Sequence, residues 1–427
     1  MFGFANFLLL ALFAAAVFDL ILARGGGLRG ALHGLWNTPH LLFGQQLAEW
    51  RLQLGRILFA AGLAAYEISV VFCNSMARQN WAWVQGVMSP VLEWLAFLCF
   101  GAKILFGTRY TWRELLAGGA LYFIARWVYF NSQNIWWIGI VVAVLAAKDV
   151  PLRRPLQVYF ASGCAAMAVV LALHFAGIVA PDLTSERMGA LRGTYGYGHP
   201  NTFGGLVFGL VLAYALLRAQ KVRWVDCLLV FAVGVFLLVG PASRSAALCT
   251  LALAVGLVFC RLRAGHSVPR WWPGTCAGMV GLTAAVSYLL PLLVIKVGPW
   301  NNDIGPAWLA KLDSLLTCRI SLTWMAYRLL DVKIAGQVFN WPTVDNSFAF
   351  ALFQFGPVVA ALLGILFAAA LWGHAKQGRR VEVCCLFAML AYAYMEVQPF
   401  HLTTNPTALL LCGAVFAQTS ARWQKIE

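Results

Sequence analysis

The sequence predicts an all-α protein that crosses a membrane many times, and three observations support this: the composition, the apolar runs and the placement of basic residues. Of the 427 residues, 61% are hydrophobic and only 11% are charged, whereas soluble domains carry about 25% charged residues. The mean hydropathy is +0.76. No polar linker divides the chain, so we expect residues 1–427 to form a single integral-membrane domain.

Apolar runs alternate with short polar connections along the whole chain and predict twelve or thirteen transmembrane helices. A bilayer core of ~30 Å requires about 20 apolar residues in a helix, and the runs 134–149 and 404–418 are short for this purpose. Asp19 interrupts the first run. The runs are 4–22, 56–74, 88–107, 114–131, 134–149, 156–179, 201–219, 224–241, 245–262, 274–295, 347–373, 381–397 and 404–418.

The connections form two alternating sets, and their basic residues predict which side each set faces. One set and the C-terminal tail hold 20 of the 31 Lys and Arg residues, and the other set holds 9, although it contains the long connections 180–200 and 296–346. Because cytoplasmic loops are rich in Lys and Arg, we expect the first set and the C-terminus to be cytoplasmic. The connections 180–200 and 296–346 then face outward. The net charge of +15 therefore reflects topology, and nucleic-acid binding is not expected.

Unusual polar residues collect in the connections that are predicted to face outward. The stretch RGTYGYGHPNTFGG begins at Arg192, and the tight turn PASRS contains Arg244. The long loop carries Arg319 and ends in Asp345-Asn346-Ser347, and the last outer turn, MEVQPFHLTTNP, contains Glu396. The outer side therefore holds the candidate functional residues.

Each of these features also has a structural explanation. Asp345-Asn346-Ser347 precedes an apolar run and is a good helix N-cap, and His199 with Pro200 is typical of a helix start. The glycines of the stretch can supply turn dihedrals, and Arg244 can anchor at the lipid headgroups. Glu396 is harder to explain in this way, because an acid at the end of a span is usually functional or paired.

A functional interpretation explains the set as a whole. Guanidinium groups bind phosphate oxygens with paired hydrogen bonds, and glycines allow backbone N–H groups to approach an anion closely. A carboxylate or histidine nearby could remove a proton from an attacking hydroxyl. Together these groups fit the transfer of a sugar from a diphosphate-linked lipid donor to a hydroxyl acceptor.

The pattern resembles the O-antigen ligase/O-antigen polymerase superfamily of bacterial membrane enzymes. The matching pieces are RGTYGYGHPNTFG before a span, SRSA opening a later span, the large outer loop with Arg319, VDNSFAFALFQFG leading into a span, and MEVQPF. Their order and spacing cover residues 185–400, whereas the N-terminal half matches only in hydropathy.

The resemblance implies a fold similar to the C-type glycosyltransferases, in a bacterial cytoplasmic membrane, with the active site facing outward. It implies undecaprenyl-diphosphate-linked oligosaccharides as donor and acceptor, inversion at the anomeric carbon, and no metal or other cofactor. Flippase and chain-length regulator proteins are the implied protein partners. The sequence agrees with metal independence, because no DxD motif lies in an outer connection.

One departure favours a polymerase over a ligase. Ligases of this family place a histidine before the asparagine that opens the span after the large loop, and this chain has Asp345 there. Asp345 is therefore the first candidate for the base, Glu396 the second and His199 the third. The residues expected to bind the diphosphate or the sugars are Arg192, Arg244, Arg319, Gly196, Gly198, Asn201 and Asn346.

Two alternatives remain open at this stage. The protein could be an O-antigen ligase that transfers finished polymer to a lipid or protein acceptor. It could instead be a flippase for lipid-linked oligosaccharides, although the charged residues within spans lie only in the N-terminal half. In the loop 296–346, apolar residues recur at helical spacing from Trp308 to Leu330. They predict an amphipathic helix that either lies on the bundle or forms a lid carrying Arg319.

Overall fold

Helices dominate the computed structural model, which describes residues 14, 40–42, 48–179, 185–187, 190–294 and 306–416. In chain order the α-helices are α1 Ala48–Cys73, α2 Ala77–Asn80, α3 Ser89–Phe106, α4 Trp112–Ser132, α5 Ile135–Ala146, α6 Arg153–Phe175, α7 Pro200–Leu217, α8 Trp224–Val239, α9 Arg244–Leu262, α10 Trp272–Leu289, α11 Ala307–Leu315, α12 Arg319–Leu329, α13 Ser347–Phe350, α14 Pro357–Lys376, α15 Arg380–Met395 and α16 Cys412–Val415.

Shorter elements connect these helices. Val84–Met88 and Ala351–Phe355 are π-helical turns, and Leu290–Leu293, Gln398–Phe400 and Pro406–Leu411 are 3-10 turns. Two antiparallel strand pairs are present: β1 His40–Leu41 pairs with β2 Arg109–Tyr110, and β3 Ser185–Arg187 pairs with β4 Ala190–Arg192.

The fold is that of an all-α multi-pass membrane protein. Seven helical segments in the described ranges are long and apolar enough to cross a bilayer: Ala48–Cys73, Val84–Phe106, Arg153–Phe175, Pro200–Leu217, Arg244–Leu262, Trp272–Leu293 and Pro357–Lys376. Large apolar side chains cover the outward helix faces; Leu98 is 66% exposed and Val255 is 68% exposed. Such surfaces suit contact with lipid. The prediction of twelve or thirteen spans stays a prediction, and its first run, 4–22, lies almost entirely outside the described residues.

The bundle is held by a continuous apolar core. α1 packs against α3 and α6, α9 packs against α8 and α15, and α10 packs against α14. The core extends from Phe59 on α1 to Phe416 after α16. Because the first and last described helices share it, the two halves of the chain pack together.

Among the described residues, two predicted spans depart strongly from a continuous α-helix, and the first is the run 347–373. It breaks at Gly356, which has a φ of 88°. A Cβ there would lie 2.1 Å from the carbonyl oxygen of Ile334. Across the same contact, a Cβ on Gly336 would lie 2.0 Å from the carbonyl oxygen of Gln354. The loop between α12 and α13 therefore crosses the broken helix at a point where both segments require glycine.

The second is the run 404–418. Its first part is the 3-10 turn Pro406–Leu411, followed by the single turn α16. The Asn405 side chain starts this segment by accepting a hydrogen bond from the backbone N–H of Ala408 at 3.1 Å. Residues 402–412 are all buried. The segment therefore lies inside the bundle, where protein atoms replace lipid around it.

The described part of the loop 296–346 forms two helices where the sequence predicts one. α11 and α12 are separated by Thr317 and Cys318, which have φ values of 56° and 65°. Asp313, which is fully buried, accepts hydrogen bonds from the backbone N–H of Ile320 at 2.7 Å and of Ser321 at 3.2 Å. These are N–H groups of the first turn of α12, which have no partner within the helix. Asp313 thus fixes the start of α12.

Candidate functional site

Six polar residues from separate parts of the chain meet at one end of the bundle. The segments are β4, the first turn of α7, the first turn of α9, the start of α12, the residue pair before α13, and the residue that follows α15. The residues, which we call the Glu396 cluster, are Arg192, Asn201, Ser245, Arg319, Asp345 and Glu396.

Glu396 is the centre of this cluster. Its side chain is only 6% exposed. The oxygen Oε1 accepts hydrogen bonds from Asn201 Nδ2 at 3.0 Å, Ser245 Oγ at 2.8 Å and Arg319 Nη2 at 3.0 Å. Ser347 Oγ, on α13, donates to the backbone carbonyl of Glu396 at 2.5 Å. Four distant segments are therefore tied to this one residue.

Arg319 joins the two carboxylates of the cluster. Nη2 lies 3.0 Å from Glu396 Oε1 and 3.4 Å from Asp345 Oδ2. Nε donates to the carbonyl oxygen of Met395 at 3.0 Å, and Nη1 donates to the carbonyl and hydroxyl oxygens of Thr317. A guanidinium has five N–H donors; those of Arg319 form hydrogen bonds to four acceptors, and Nη2 also forms the ion pair with Asp345. An anion that approaches Nη2 would therefore compete with these two carboxylates.

Asn201 connects Glu396 to the second buried arginine. Its Oδ1 accepts from Arg192 Nη2 at 2.9 Å, while its Nδ2 faces Glu396. The amide is thus oriented with its acceptor toward a cation and its donor toward a carboxylate. Arg192 is 6% exposed and also donates to the carbonyl oxygen of Ala242 at 3.2 Å.

A glycine on α7 allows the segment after Glu396 to approach this helix. A Cβ on Gly205 would lie 1.8 Å from Gln398 Oε1. Gln398 Nε2 donates to the carbonyl oxygen of Asn201 at 3.2 Å, and Tyr392 Oη donates to Gln398 Oε1 at 2.8 Å. In the stretch that begins at Arg192, the glycine that serves the cluster is therefore Gly205, which sequence reasoning did not select.

The helix caps predicted from the sequence are confirmed. Asn346 Oδ1 accepts from the N–H groups of Phe348 at 2.9 Å and Ala349 at 3.1 Å, which caps α13. His199 Nδ1 accepts from the N–H of Asn201 at 3.1 Å, which caps α7. Asp345 is the most accessible acid of the cluster, with its side chain 25% exposed.

The remaining predicted site residues are Gly196, Gly198, His199 and Arg244. Gly196, with a φ of 81°, packs against α6, where its Cβ would lie 3.0 Å from His174 Cβ. Gly198 and His199 are exposed. Arg244 is exposed at the start of α9, and it is the next residue, Ser245, that donates to Glu396. The roles predicted for these residues in binding or catalysis stay predictions.

Ser245, Ser347 and Gln398 are the cluster contacts that sequence reasoning missed as site residues. All three lie inside motifs that were recognised: SRSA, DNS and MEVQPF. For Ser245, the sequence feature that could have indicated a site residue was its hydroxyl group, next to Arg244 in SRSA. Because successive residues on a helix differ by about 100° in direction, the choice between neighbours needs the packing of α9 against α15.

Burial controls the ionisation of Glu396, which follows the last residue of α15. Loss of water raises its pKa from the usual 4.5 to about 7, with a further increase from Asp345; Arg319 and the hydroxyl of Ser245 act in the opposite direction. An acid with this pKa changes charge near neutral pH, where proton transfer is most efficient.

The raised pKa predicts how stability depends on pH. The folded protein holds the Glu396 proton more tightly than the unfolded chain, so the contribution of this group to the free energy of unfolding falls as the pH rises from about 4.5 to about 7. Thermal unfolding of Glu396→Gln in detergent at a series of pH values should show a smaller decrease across this window than the wild type. Asp331→Asn, an exposed acid in the outer loop, should keep the wild-type slope. An equal slope in Glu396→Gln and wild type would contradict the assignment.

A protein metal site requires several ligating side chains close together. Within the described ranges, no group of three or more His, Cys, Asp or Glu side chains is placed to hold a metal ion. Metal independence stays a prediction.

Comparisons of the chain with protein-family models, with curated proteins and with solved structures gave no significant match.

Proposed function

We infer that this protein is a polymerase that joins undecaprenyl-diphosphate-linked oligosaccharide repeats into a surface polysaccharide at the outer face of a bacterial cytoplasmic membrane. The Glu396 cluster carries this proposal. Its members come from the five motifs on which the resemblance to O-antigen polymerases rests, and those motifs are far apart in the sequence. Motifs that served only as helix caps or turns would not need to share one hydrogen-bonded network.

The charges of the cluster suit a reaction in which a diphosphate leaves. Arg192 and Arg319 place two guanidinium groups at a site with two carboxylates. Cations near a leaving diphosphate stabilise the negative charge that grows on it. Arg244, exposed at the edge of the same end of the bundle, adds a third cation that can reach the donor.

Asp345 is the proposed base because it is the acid that a substrate can reach. Its carboxylate takes the proton from a hydroxyl of the acceptor repeat, and the resulting oxygen attacks the anomeric carbon C1 of the donor. A new C1–oxygen bond forms as the bond from C1 to the diphosphate breaks, and undecaprenyl diphosphate leaves with the electron pair. Attack opposite to the leaving group inverts the configuration at C1.

Glu396 and Arg319 have a linked role in this proposal. When Glu396 takes up a proton, its attraction for Arg319 Nη2 weakens. One N–H of Arg319 is then available for a diphosphate oxygen while the other stays with Asp345. Arg319 would thus contact the donor only after a change in the protonation of the cluster.

One charged residue that the sequence places within a span, and that a flippase could use, has a structural explanation instead. Of the charged residues predicted within spans, Lys103 is buried at the far end of α3, where Nζ donates to Thr108 Oγ1 at 2.6 Å and to the carbonyl oxygen of Lys148. Lys148 in turn lies 3.3 Å from Glu114 and from Asp149. These contacts tie helix ends together, which is a structural role.

The products that accumulate without the protein test the proposal. In a strain of the native host that lacks the gene, mass spectrometry of the lipid-linked saccharides should show single repeats accessible from outside the membrane and no long polymer. Complementation with the wild-type gene is the control. Finished polymer that stays on the lipid would instead indicate a ligase, and repeats accessible only from the cytoplasm would indicate a flippase; either result would overturn the proposal.

A further inference from the structure

A cavity of about 620 Å³ lies at the end of the bundle opposite to the Glu396 cluster. Three helices, α7, α9 and α15, run between the two places, each with one end at the cluster and the other at the cavity. The 18 residues of α7 at ~1.5 Å per residue set the separation at about 27 Å.

The wall of this cavity is basic. Four separate segments contribute cationic side chains: the start of α6, the α7–α8 connection, the end of α9, and the pair that begins α15. These residues are Arg153, Lys221, Arg261, Arg379 and Arg380, and the acidic side chain in the wall is Glu382. The floor consists of buried leucines from α6, α7 and the turn Pro406–Leu411.

The arrangement differs from that of other basic residues at this end of the bundle. Arg51 donates to the carbonyl oxygens of Phe106 and Leu42, and Arg218 lies 3.1 Å from Asp226. Those side chains hold the fold. Arg153, Lys221 and Arg261 line the cavity and are exposed, so their charges are accessible to an anion that enters it.

Arg380 helps to shape the cavity. Its guanidinium donates to the carbonyl oxygens of Arg263 at 2.7 Å and of His266. These contacts hold the α9–α10 connection against the start of α15. The wall is thus fixed by hydrogen bonds, while the three exposed cations keep their freedom to meet an anion.

We propose that this cavity is a binding site for a phosphate-bearing anion, separate from the Glu396 cluster. Guanidinium and ammonium groups are the side chains that bind phosphate best. A volume of about 620 Å³ falls in the range of small-molecule sites, about 300–1,000 Å³. It exceeds what inorganic phosphate needs, so the site also has room for an organic part of the ligand over the apolar floor. A lipid headgroup and a soluble phosphorylated compound share this chemistry.

Binding to the purified full-length protein tests the proposal with two probes. Sodium pyrophosphate, titrated calorimetrically into protein in phosphatidylcholine nanodiscs, represents a soluble anion. Phosphatidic acid, added to such nanodiscs and detected on the protein by native mass spectrometry, represents a headgroup. We expect wild-type protein to bind at least one probe. The triple variant Arg153→Gln/Lys221→Gln/Arg261→Gln should bind that probe at least about tenfold more weakly, because three contacts to a charged group are lost.

A matched control removes the same charge outside the cavity. Arg154, Arg270 and Lys376 are exposed and do not line it, so Arg154→Gln/Arg270→Gln/Lys376→Gln should bind within about twofold of wild type. If the triple variant is poorly folded, the single variant Lys221→Gln provides the test. It should lose about threefold in affinity for the probe. Binding of pyrophosphate alone identifies a soluble ligand, and binding of phosphatidic acid alone identifies a headgroup. The proposal is wrong if wild type binds neither probe or if the control triple loses as much affinity as the cavity triple.

Discussion

Replacement of Arg319 by glutamine should abolish long polymer while single lipid-linked repeats accumulate. Arg319 contacts both Glu396 and Asp345, so its loss removes this link between the two acids as well as the charge. Loss of one charge-assisted contact to a developing anion costs about 10²-fold in rate. Polymer length on a gel, measured against protein abundance in the membrane, gives the result.

Loss of stability and loss of chemistry can be separated in this experiment. Removal of one partner from a buried ion pair costs about 3–5 kcal/mol, because Glu396 is then left without its cation. The double variant Arg319→Gln/Glu396→Gln removes both charges and should recover membrane abundance without recovering polymer. Arg328→Gln, exposed on the same helix, should behave as wild type. Polymer of normal length in Arg319→Gln would contradict the proposed role of Arg319.

The membership of the cluster was largely predictable from the sequence. The positive-inside rule assigned Arg192, Arg319, Asp345 and Glu396 to one side of the membrane, and the structure brings these four residues to one end of the bundle. The number of basic residues in a connection can predict which side of the membrane that connection faces. The distance between residues on that side depends on which helices are neighbours, and no sequence feature records it.

The roles within the cluster were harder to predict, because each depends on an orientation that is set from elsewhere. Asp345 was the first candidate for the base, yet Glu396 makes more of the contacts. Its position follows from the close approach of Gln398 to Gly205. The partners of that contact are 193 residues apart in the sequence. The pairing therefore appears only in the folded chain.

The breaks in the helices have the same origin. Apolar spacing predicted continuous helices across Gly356 and across Thr317 and Cys318. The helix is interrupted at Gly356 because the segment around Gly336 crosses there. A new helix, α12, begins at Arg319 because the buried Asp313 accepts hydrogen bonds from its first N–H groups. Apolar periodicity reports the face that is buried. It does not report a crossing by another segment.

Replacement of Asp345 by asparagine tests which acid is the base. Asparagine keeps the size and an acceptor for Arg319 but does not take up a proton, so polymer synthesis should fall by about 10²–10⁴-fold while the protein stays in the membrane. Since the Asp345 side chain is 25% exposed, the stability cost should be small. The readout is polymer formed per unit of membrane protein, with Asp331→Asn as the control for an exposed acid in the same loop.

A comparison of Asp345→Asn with Glu396→Gln shows which of the two acids is the base. If Asp345 is the base, Asp345→Asn loses the chemical step, and its residual activity should not recover as the pH rises. Glu396→Gln should retain more activity and should lose the dependence on pH that arises from the Glu396 carboxyl, whose pKa is about 7. The opposite ranking, with Asp345→Asn active and Glu396→Gln inactive at every pH, would assign the base to Glu396. Asp345 would then be a residue that orients Arg319, and the second candidate from the sequence would be the correct one.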